Sequence, residues 1–214
     1  MSLKILETGT TNEFKDAEGI KGAQITLDWV QAQVFKGNVY HAYLGTATTP
    51  VTLDAAWANT DPDISIDVPN GRLIIPLRIN VIMEAYGTTA LFETMCLCSR
   101  TLAASSAGTA FVPINMKTRT GGGSNCSVYT GPTVTSGYTT GCFELFRNCQ
   151  AKAVTIATAI DTSTWQNNVT EWSYLANGPA PVLEGNASLQ IWATSQAASG
   201  YMNIYWVELD ANAL

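Results

Sequence analysis

Charged side chains are scarce in this sequence. They make up 13% of its 214 residues, about half the share of roughly 25% that is usual for soluble domains. Acidic residues outnumber basic ones, and the net charge is −6. A surface that follows a nucleic-acid backbone or an anionic membrane needs clustered positive charge. The composition therefore predicts no nucleic-acid partner and no membrane partner.

Segments that would direct the chain into or across a membrane are also missing from the sequence. Residues 1–22 hold no apolar run of signal-peptide type, and no window reaches the length of a membrane span. We therefore expect synthesis and folding in the cytoplasm. The five cysteines cannot all pair within one chain, and we interpret them as small buried side chains in a reducing compartment.

Motifs of reaction chemistry are absent as well. His41 is the single histidine, and no nucleophile motif such as G-x-S-x-G accompanies it. The acidic run DPDISID at 61–67 lacks the glycine and the closing glutamate of an EF-hand loop. The triple glycine at 121–123 is not followed by the Lys-Ser/Thr pair of a phosphate loop. We predict a protein that is not an enzyme and needs no metal or cofactor.

A pair of carboxylates is the one arrangement that leaves a glycosidase open as an alternative. Glu84 and Glu93 flank a predicted turn, and Glu144, Glu171 and Glu208 each have aromatic neighbours in the sequence. The plainer interpretation is that these are exposed strand positions, some of them paired with arginines.

Two-residue alternation, in contrast, is abundant. Residues 72–86 alternate in the pattern of a long strand. Pro76 cannot donate to a sheet, so it predicts an edge, a bulge or the start of the strand. A turn is predicted at 87–89, after which residues 90–100 are expected to run back as the hairpin partner.

Similar patterns predict strands along the rest of the chain, near 22–35, 38–44, 64–68, 111–117, 142–147, 153–158, 169–175, 188–194 and 201–210. Strands without alternating helices favour a sandwich or a barrel. We predict an all-β fold, a single jelly-roll sandwich with long loops and little helix. Its domain spans residues 23–214 after an N-terminal arm at 1–22, with a Gly/Thr/Ser-rich loop excursion at 118–141.

The last strand raises the question on which the functional interpretation depends. Side chains alternate between the faces of a strand, and both faces of YMNIYWVEL at 201–209 are largely apolar. Because soluble monomers avoid large exposed apolar patches, we predict that a second subunit covers one face of this C-terminal hairpin, most simply in a homotrimer. The predicted interface residues are Trp192, Tyr201, Tyr205 and Trp206.

Two segments, VPNGRLIIPLRINVIMEAYGTTALFETM at 68–95 and GPAPVLEGNASLQIWATSQAASGYMNIYWVEL at 178–209, resemble the tumour-necrosis-factor-like single jelly-roll virion proteins of tailed bacteriophages. Such proteins serve as head decoration, cement or fibre subunits. The resemblance implies a trimer on the capsid exterior that binds the major capsid protein. It also implies anchoring by the N-terminal segment. Within that segment we predict Leu3, Ile5 and Leu6 as the anchoring residues.

Two alternatives remain at this stage. Aromatic residues such as Trp165, Trp172 and Tyr174, together with the loops at 118–141, could bind carbohydrate as a receptor-binding fibre or adhesin does. A single jelly-roll major capsid protein would instead form the shell itself.

Overall fold

A computed structural model of the chain describes residues 4–6, 14–16, 28–54, 57–86, 91–101, 104–135, 141–151, 169–194 and 198–212. The helices are α1 (Trp29–Lys36) and α2 (Tyr174–Asn177). The strands are β1 (Lys4–Leu6), β2 (Phe14–Asp16), β3 (Val39–Leu44), β4 (Val51–Thr52), β5 (Ile64–Val68), β6 (Arg72–Tyr86), β7 (Leu91–Ser99), β8 (Ser105–Ser106), β9 (Thr109–Phe111), β10 (Ile114–Asn115), β11 (Ser127–Thr130), β12 (Thr133–Val134), β13 (Cys142–Ala151), β14 (Val169–Ser173), β15 (Leu183–Glu184), β16 (Ala187–Thr194) and β17 (Ala198–Asp210).

Two antiparallel sheets form a jelly-roll sandwich, as the sequence predicts. The first sheet has the order β10-β3-β17-β6-β14, and the second has the order β13-β7-β16-β5-β11-β9. Eight strands follow the jelly-roll path, in which β3, β6, β14 and β17 belong to the first sheet while β5, β7, β13 and β16 belong to the second. The chain therefore crosses repeatedly between sheets, and the main core lies between their inner faces.

The C-terminal strand β17 presents its two faces as predicted. Met202, Ile204 and Trp206 point into the main core between the sheets, where each is fully buried. Val207 points to the opposite, outer face of the sheet. It packs there with Val39 and Leu77 in a second cluster, which we call the outer cluster. Period-two alternation thus places apolar side chains in two separate cores.

Pro76 marks a bulge, which confirms one of the three possibilities raised by the sequence. Trp206 of β17 pairs with Pro76 and Tyr205 pairs with Arg78, so Leu77 is an extra residue on β6. The alternation of β6 changes phase there: Leu77 lies in the outer cluster, whereas Ile79 lies in the main core. The uniform alternation predicted across residues 72–86 is therefore wrong.

The predicted strand near 22–35 is also wrong, because its described part forms helix α1. Asp28 caps this helix by accepting a hydrogen bond from the backbone N–H of Val30 at 3.2 Å. Gly37 ends the helix with φ of 83°, a conformation that suits glycine. Val30 and Val34, one turn apart, pack on the outer cluster.

Two hairpins expected from the sequence do not form. β6 and β7 follow one another in the chain but belong to different sheets, and so do β16 and β17. Each pair is instead a crossover of the jelly roll. Alternation identifies a strand but not its neighbour, which explains why both pairings were mispredicted.

The segment between β7 and β13 contributes to both sheets. It includes the predicted excursion at 118–141, whose described part holds β11 and β12. β10 extends the first sheet at β3, whereas β9 and β11 extend the second sheet at β5. Within this segment, Ser124 and Asn125 donate hydrogen bonds to the carboxylate of Glu208, which lies buried near the end of β17. These bonds fasten the glycine-rich stretch to the sandwich.

Candidate functional site

The outer face of the second sheet is covered by the chain itself. Ser188, Gln190 and Trp192 of β16 point outward, yet each is essentially fully buried. Two segments lie near this face. Trp57 packs against the cluster of Trp192, and the Trp192 indole donates to the backbone carbonyl of Ala58 at 3.0 Å. β8 is fastened by bonds from Ser105 to Asp67. Along β16 this face is therefore closed to a partner, whereas Arg147 of β13 stays exposed.

The outer face of the first sheet is covered only at one end. There α1 lies over the cluster of Val39, Leu77 and Val207. Beyond that end, partly exposed aromatic and polar side chains form a surface that we call the platform. It comprises His41, Tyr43, Arg78, Asn80, Glu171, Tyr201, Asn203 and Tyr205.

Sheet register aligns the platform residues in rows. Asn203 of β17 pairs with Tyr43 of β3 on one side and with Asn80 of β6 on the other, and Asn80 pairs in turn with Glu171 of β14. This row crosses four adjacent strands, a distance of about 14 Å at the usual strand spacing. Residues far apart in the sequence are thereby brought into one line.

His41 of β3 contacts three other platform residues, Tyr43, Asn203 and Tyr205. Its ring stacks on Tyr205, with centroids 4.3 Å apart. Its Nε2 is 3.2 Å from Oδ1 of Asn203. Burial lowers the pKa of His41, and the contact with Asn203 opposes that shift only in part. The imidazole is therefore neutral at pH 7 and acts as part of a stacked aromatic surface.

The charges on the platform are paired with each other. Arg78 donates to the carboxylate of Glu171 at 2.7 Å and to Oδ1 of Asn80 at 3.2 Å. Both charged side chains are about half exposed, so we expect the pair to contribute little to stability. The ion pair instead holds the Arg78 guanidinium and the Glu171 carboxylate in fixed positions, and the two charges cancel.

Two tyrosine rings lie beside the asparagines of this row, and each ring is held in position by a neighbouring group. Tyr43 packs edge-on against Phe111, with centroids 4.9 Å apart. Tyr201 lies against Gly45, where a Cβ would come within 2.6 Å of the tyrosine ring. Gly45 has φ of 94° and leaves room for this close approach. Such rings can stack on a ligand while the adjacent amides donate hydrogen bonds.

A groove of about 410 Å³ adjoins the platform between α1, α2 and the first sheet. Its walls are mostly apolar and include Val30, Val34, Met116, Tyr174 and Leu175. Arg78, Glu171 and Tyr205 line the groove as well, so the groove and the platform share these three residues. We call it the helix groove.

Exposed apolar side chains are concentrated around the helix groove and the adjoining edge of the first sheet. The group comprises Trp29, Phe35, Tyr43, Ile114, Met116 and Leu175, of which Met116 and Leu175 line the groove itself. Val112 and Val182 are also exposed, after β9 and before β15. On the second sheet Phe143 is the exposed large apolar residue among those described. Apolar patches of this kind mark surfaces that bind a partner.

The four predicted interface residues fall into two groups. Trp192 and Trp206 are 1% and 0% exposed within the single chain, so the prediction that they face a second subunit is corrected. Trp192 packs against Trp57 on the outer side of the second sheet, and Trp206 lies in the main core. Tyr201 and Tyr205 are partly exposed on the platform, and their interface role stays a prediction.

The predicted anchoring residues cannot be placed on a surface. Leu3 lies outside the described residues, and only the backbone of Ile5 and Leu6 is described, in β1. β1 pairs with β2 and with no other strand in the described part of the chain.

The two tryptophans considered for carbohydrate binding have different outcomes. Trp172 is buried in the main core, and Trp165 lies outside the described residues. Sequence reasoning missed Tyr43, Asn80 and Asn203, whose shared position depends on strand pairing. Alternation within each strand was the signal that could have placed them on an outer face.

The carboxylates considered for glycosidase chemistry are dispersed. Glu84 lies in the first sheet, whereas Glu93 lies in the second and accepts a hydrogen bond from Trp57 at 2.9 Å. Glu144 forms an ion pair with Arg147, and Glu208 binds Ser124 and Asn125. All five cysteines are free. Cys96, Cys98 and Cys126 are buried as expected, whereas Cys142 is partly exposed and Cys149 is exposed, so the interpretation of all five as buried side chains is wrong.

Three further observations concern ligands and relatives. The described residues hold no group of three or more histidine, cysteine or acidic side chains that could bind a metal ion. No helix in the described ranges is both long and apolar enough to cross a membrane. No protein-family model matches the sequence, and a search of curated proteins finds no matching relative.

Proposed function

We propose that this protein is a structural virion component, a capsid decoration, cement or head-fibre subunit that forms a homotrimer and binds the major capsid shell. The resemblance of residues 68–95 and 178–209 to phage virion proteins suggests this class. In the proposal the protein resides on the capsid exterior, contributes no reaction chemistry and is held to the shell by its N-terminal arm.

The observation that carries the proposal is the difference between the two outer faces. The outer face of the second sheet is covered by the chain along β16, whereas on the first sheet the exposed apolar residues Met116 and Leu175 line the helix groove. Burying apolar surface stabilises an association by about 25 cal/mol per Å². The charges beside the groove, Arg78 and Glu171, neutralise one another. A second copy therefore meets no net charge there, although the chain as a whole is acidic.

The mass of the purified protein at micromolar concentration tests this proposal. We expect a trimer, and we expect Leu175→Glu to shift the protein to monomer because it places a charge on the groove. Leu175 is 81% exposed, so this substitution should leave the fold intact. Val182→Glu, at a residue 50% exposed outside the groove, is the matched control and should remain trimeric.

A monomeric wild type would contradict the proposed assembly. Closed particles formed by the isolated protein would instead favour a single jelly-roll major capsid protein. Binding of the trimer to purified capsids, lost when residues 1–22 are deleted, would locate the anchor.

A further inference from the structure

The platform has the composition of a surface that recognises sugars. A pyranose ring offers an apolar C–H face and a rim of hydroxyl groups, so a protein that binds it needs aromatic rings beside fixed polar groups. The exposed ring of Tyr43 and the partly exposed ring of Tyr201 lie beside the amides of Asn80 and Asn203. We propose that the platform binds a neutral oligosaccharide.

The polar groups are fixed by bonds that leave donors free. Asn203 uses its Oδ1 toward His41, and Asn80 uses its Oδ1 to accept from Arg78. The Nδ2 groups of both asparagines make no hydrogen bond within the described residues. Two amide donors on adjacent strands therefore remain available for sugar hydroxyls. Fixed donors lose little entropy on binding, which is the advantage of a preorganised site.

The shape of the platform favours an oligosaccharide over a single sugar. The row from Tyr43 through Asn203 and Asn80 to Glu171 spans four strands, about 14 Å. The row is an open strip on the sheet rather than an enclosed cavity. Such a strip accommodates the length of a glycan chain.

Charge determines which class of glycan fits. The guanidinium of Arg78 is bonded to Glu171 and Asn80, so its charge is already neutralised. The net charge of −6 further opposes an anionic ligand. A sialylated or sulfated glycan would need an unpaired cation, which the platform does not offer. A neutral glycan needs only the rings and the amides.

Binding to an array of defined glycans tests this inference. The array carries neutral gluco-, galacto-, manno- and N-acetylglucosamine oligosaccharides together with sialylated and sulfated ones. We expect saturable binding to at least one neutral series with a Kd at or below about 1 mM. Tyr43→Ala and Asn203→Ala should each weaken it about tenfold, through lost stacking and a lost hydrogen bond.

Phe143→Ala provides the matched control, because Phe143 is 38% exposed on the second sheet and Tyr43 is 37% exposed on the platform. The control should bind as the wild type does. His41 reports where the glycan binds, because it is the single histidine of the chain and its imidazole NMR signals are therefore unambiguous. These signals should shift when the neutral glycan with the highest affinity is added.

Three results would overturn the inference: no saturable binding to any neutral glycan, binding that survives both platform substitutions, or His41 signals that stay unchanged at saturation. The Leu175→Glu variant distinguishes a failure of the glycan inference from a failure of the proposed trimer. It should retain glycan binding even as a monomer, because Leu175 lines the helix groove and not the platform.

Discussion

The two outer faces of the sandwich differ in what covers them. On the second sheet, Trp192 and Gln190 point outward but are buried beneath the chain's own segments. On the first sheet, α1 covers one end and leaves the platform and the helix groove accessible. The same strand pattern thus produces a face that completes the fold and a face that remains for ligands or partners.

The largest expected effect is a difference in the free energy of unfolding between substitutions on the two faces. Trp192→Ala should cost about 3–5 kcal/mol because it empties a closed cluster, whereas Tyr43→Ala on the open face should cost less than about 1 kcal/mol. Denaturant unfolding of both variants provides the comparison. Similar losses would mean that the open face is as important to the fold as the covered one.

The second prediction uses a buried carboxyl at the start of β5. Burial raises the pKa of Asp63 to about 8, and the nearby carboxylate of Asp54 adds to the shift, against the lowering effect of the bond from the Ala193 N–H. The folded state therefore binds this proton more tightly than the unfolded state. The stabilising contribution is complete below about pH 4 and is lost as the pH rises to about 8.

Asp63→Asn should remove this pH dependence, because an amide oxygen can still accept from Ala193 without carrying charge. At pH 8.5 we expect the variant to be more stable than the wild type by about 5 kcal/mol. Denaturant unfolding at pH 5 and pH 8.5 measures the difference. Parallel pH profiles for the two proteins would contradict the assignment.

The third prediction concerns Gln190 on the covered face. Within the described part of the chain, neither polar atom of its buried amide has a hydrogen-bond partner. The side chain is therefore desolvated without compensation. Gln190→Met, of similar shape, should raise the free energy of unfolding by about 1 kcal/mol. A destabilised variant would show that the amide is satisfied in solution.

The smallest effect is expected at His41 on the open face. Because burial lowers its pKa, the folded state binds the proton less tightly than the unfolded state. The associated stability is present above the ordinary value near 6.5 and falls as the pH drops toward the folded pKa. An NMR titration of the imidazole should give a midpoint below 6.5, and a midpoint at or above it would exclude the half-buried environment.

Local sequence pattern predicted much of the fold but little of its long-range arrangement. Alternation correctly assigned the two faces of β17, and a bulge at Pro76 was one of the three possibilities that the proline left open. Helix α1 was missed because its two packing valines also fit a strand, although Asp28 and Gly37 provide cap signals. The platform depends on the pairing of Tyr43, Asn80, Glu171 and Asn203 across four strands, which no local pattern specifies.

Oxidation of Met116 tests most directly whether a second copy covers the helix groove. Met116 is exposed and lines the helix groove, whereas Met95 is buried on the second sheet. Mass spectrometry after brief peroxide treatment should show Met116 protected severalfold as the protein concentration rises, with the protection lost in Leu175→Glu. A Met116 oxidation rate that is independent of concentration, in a protein that is monomeric throughout, would contradict the account.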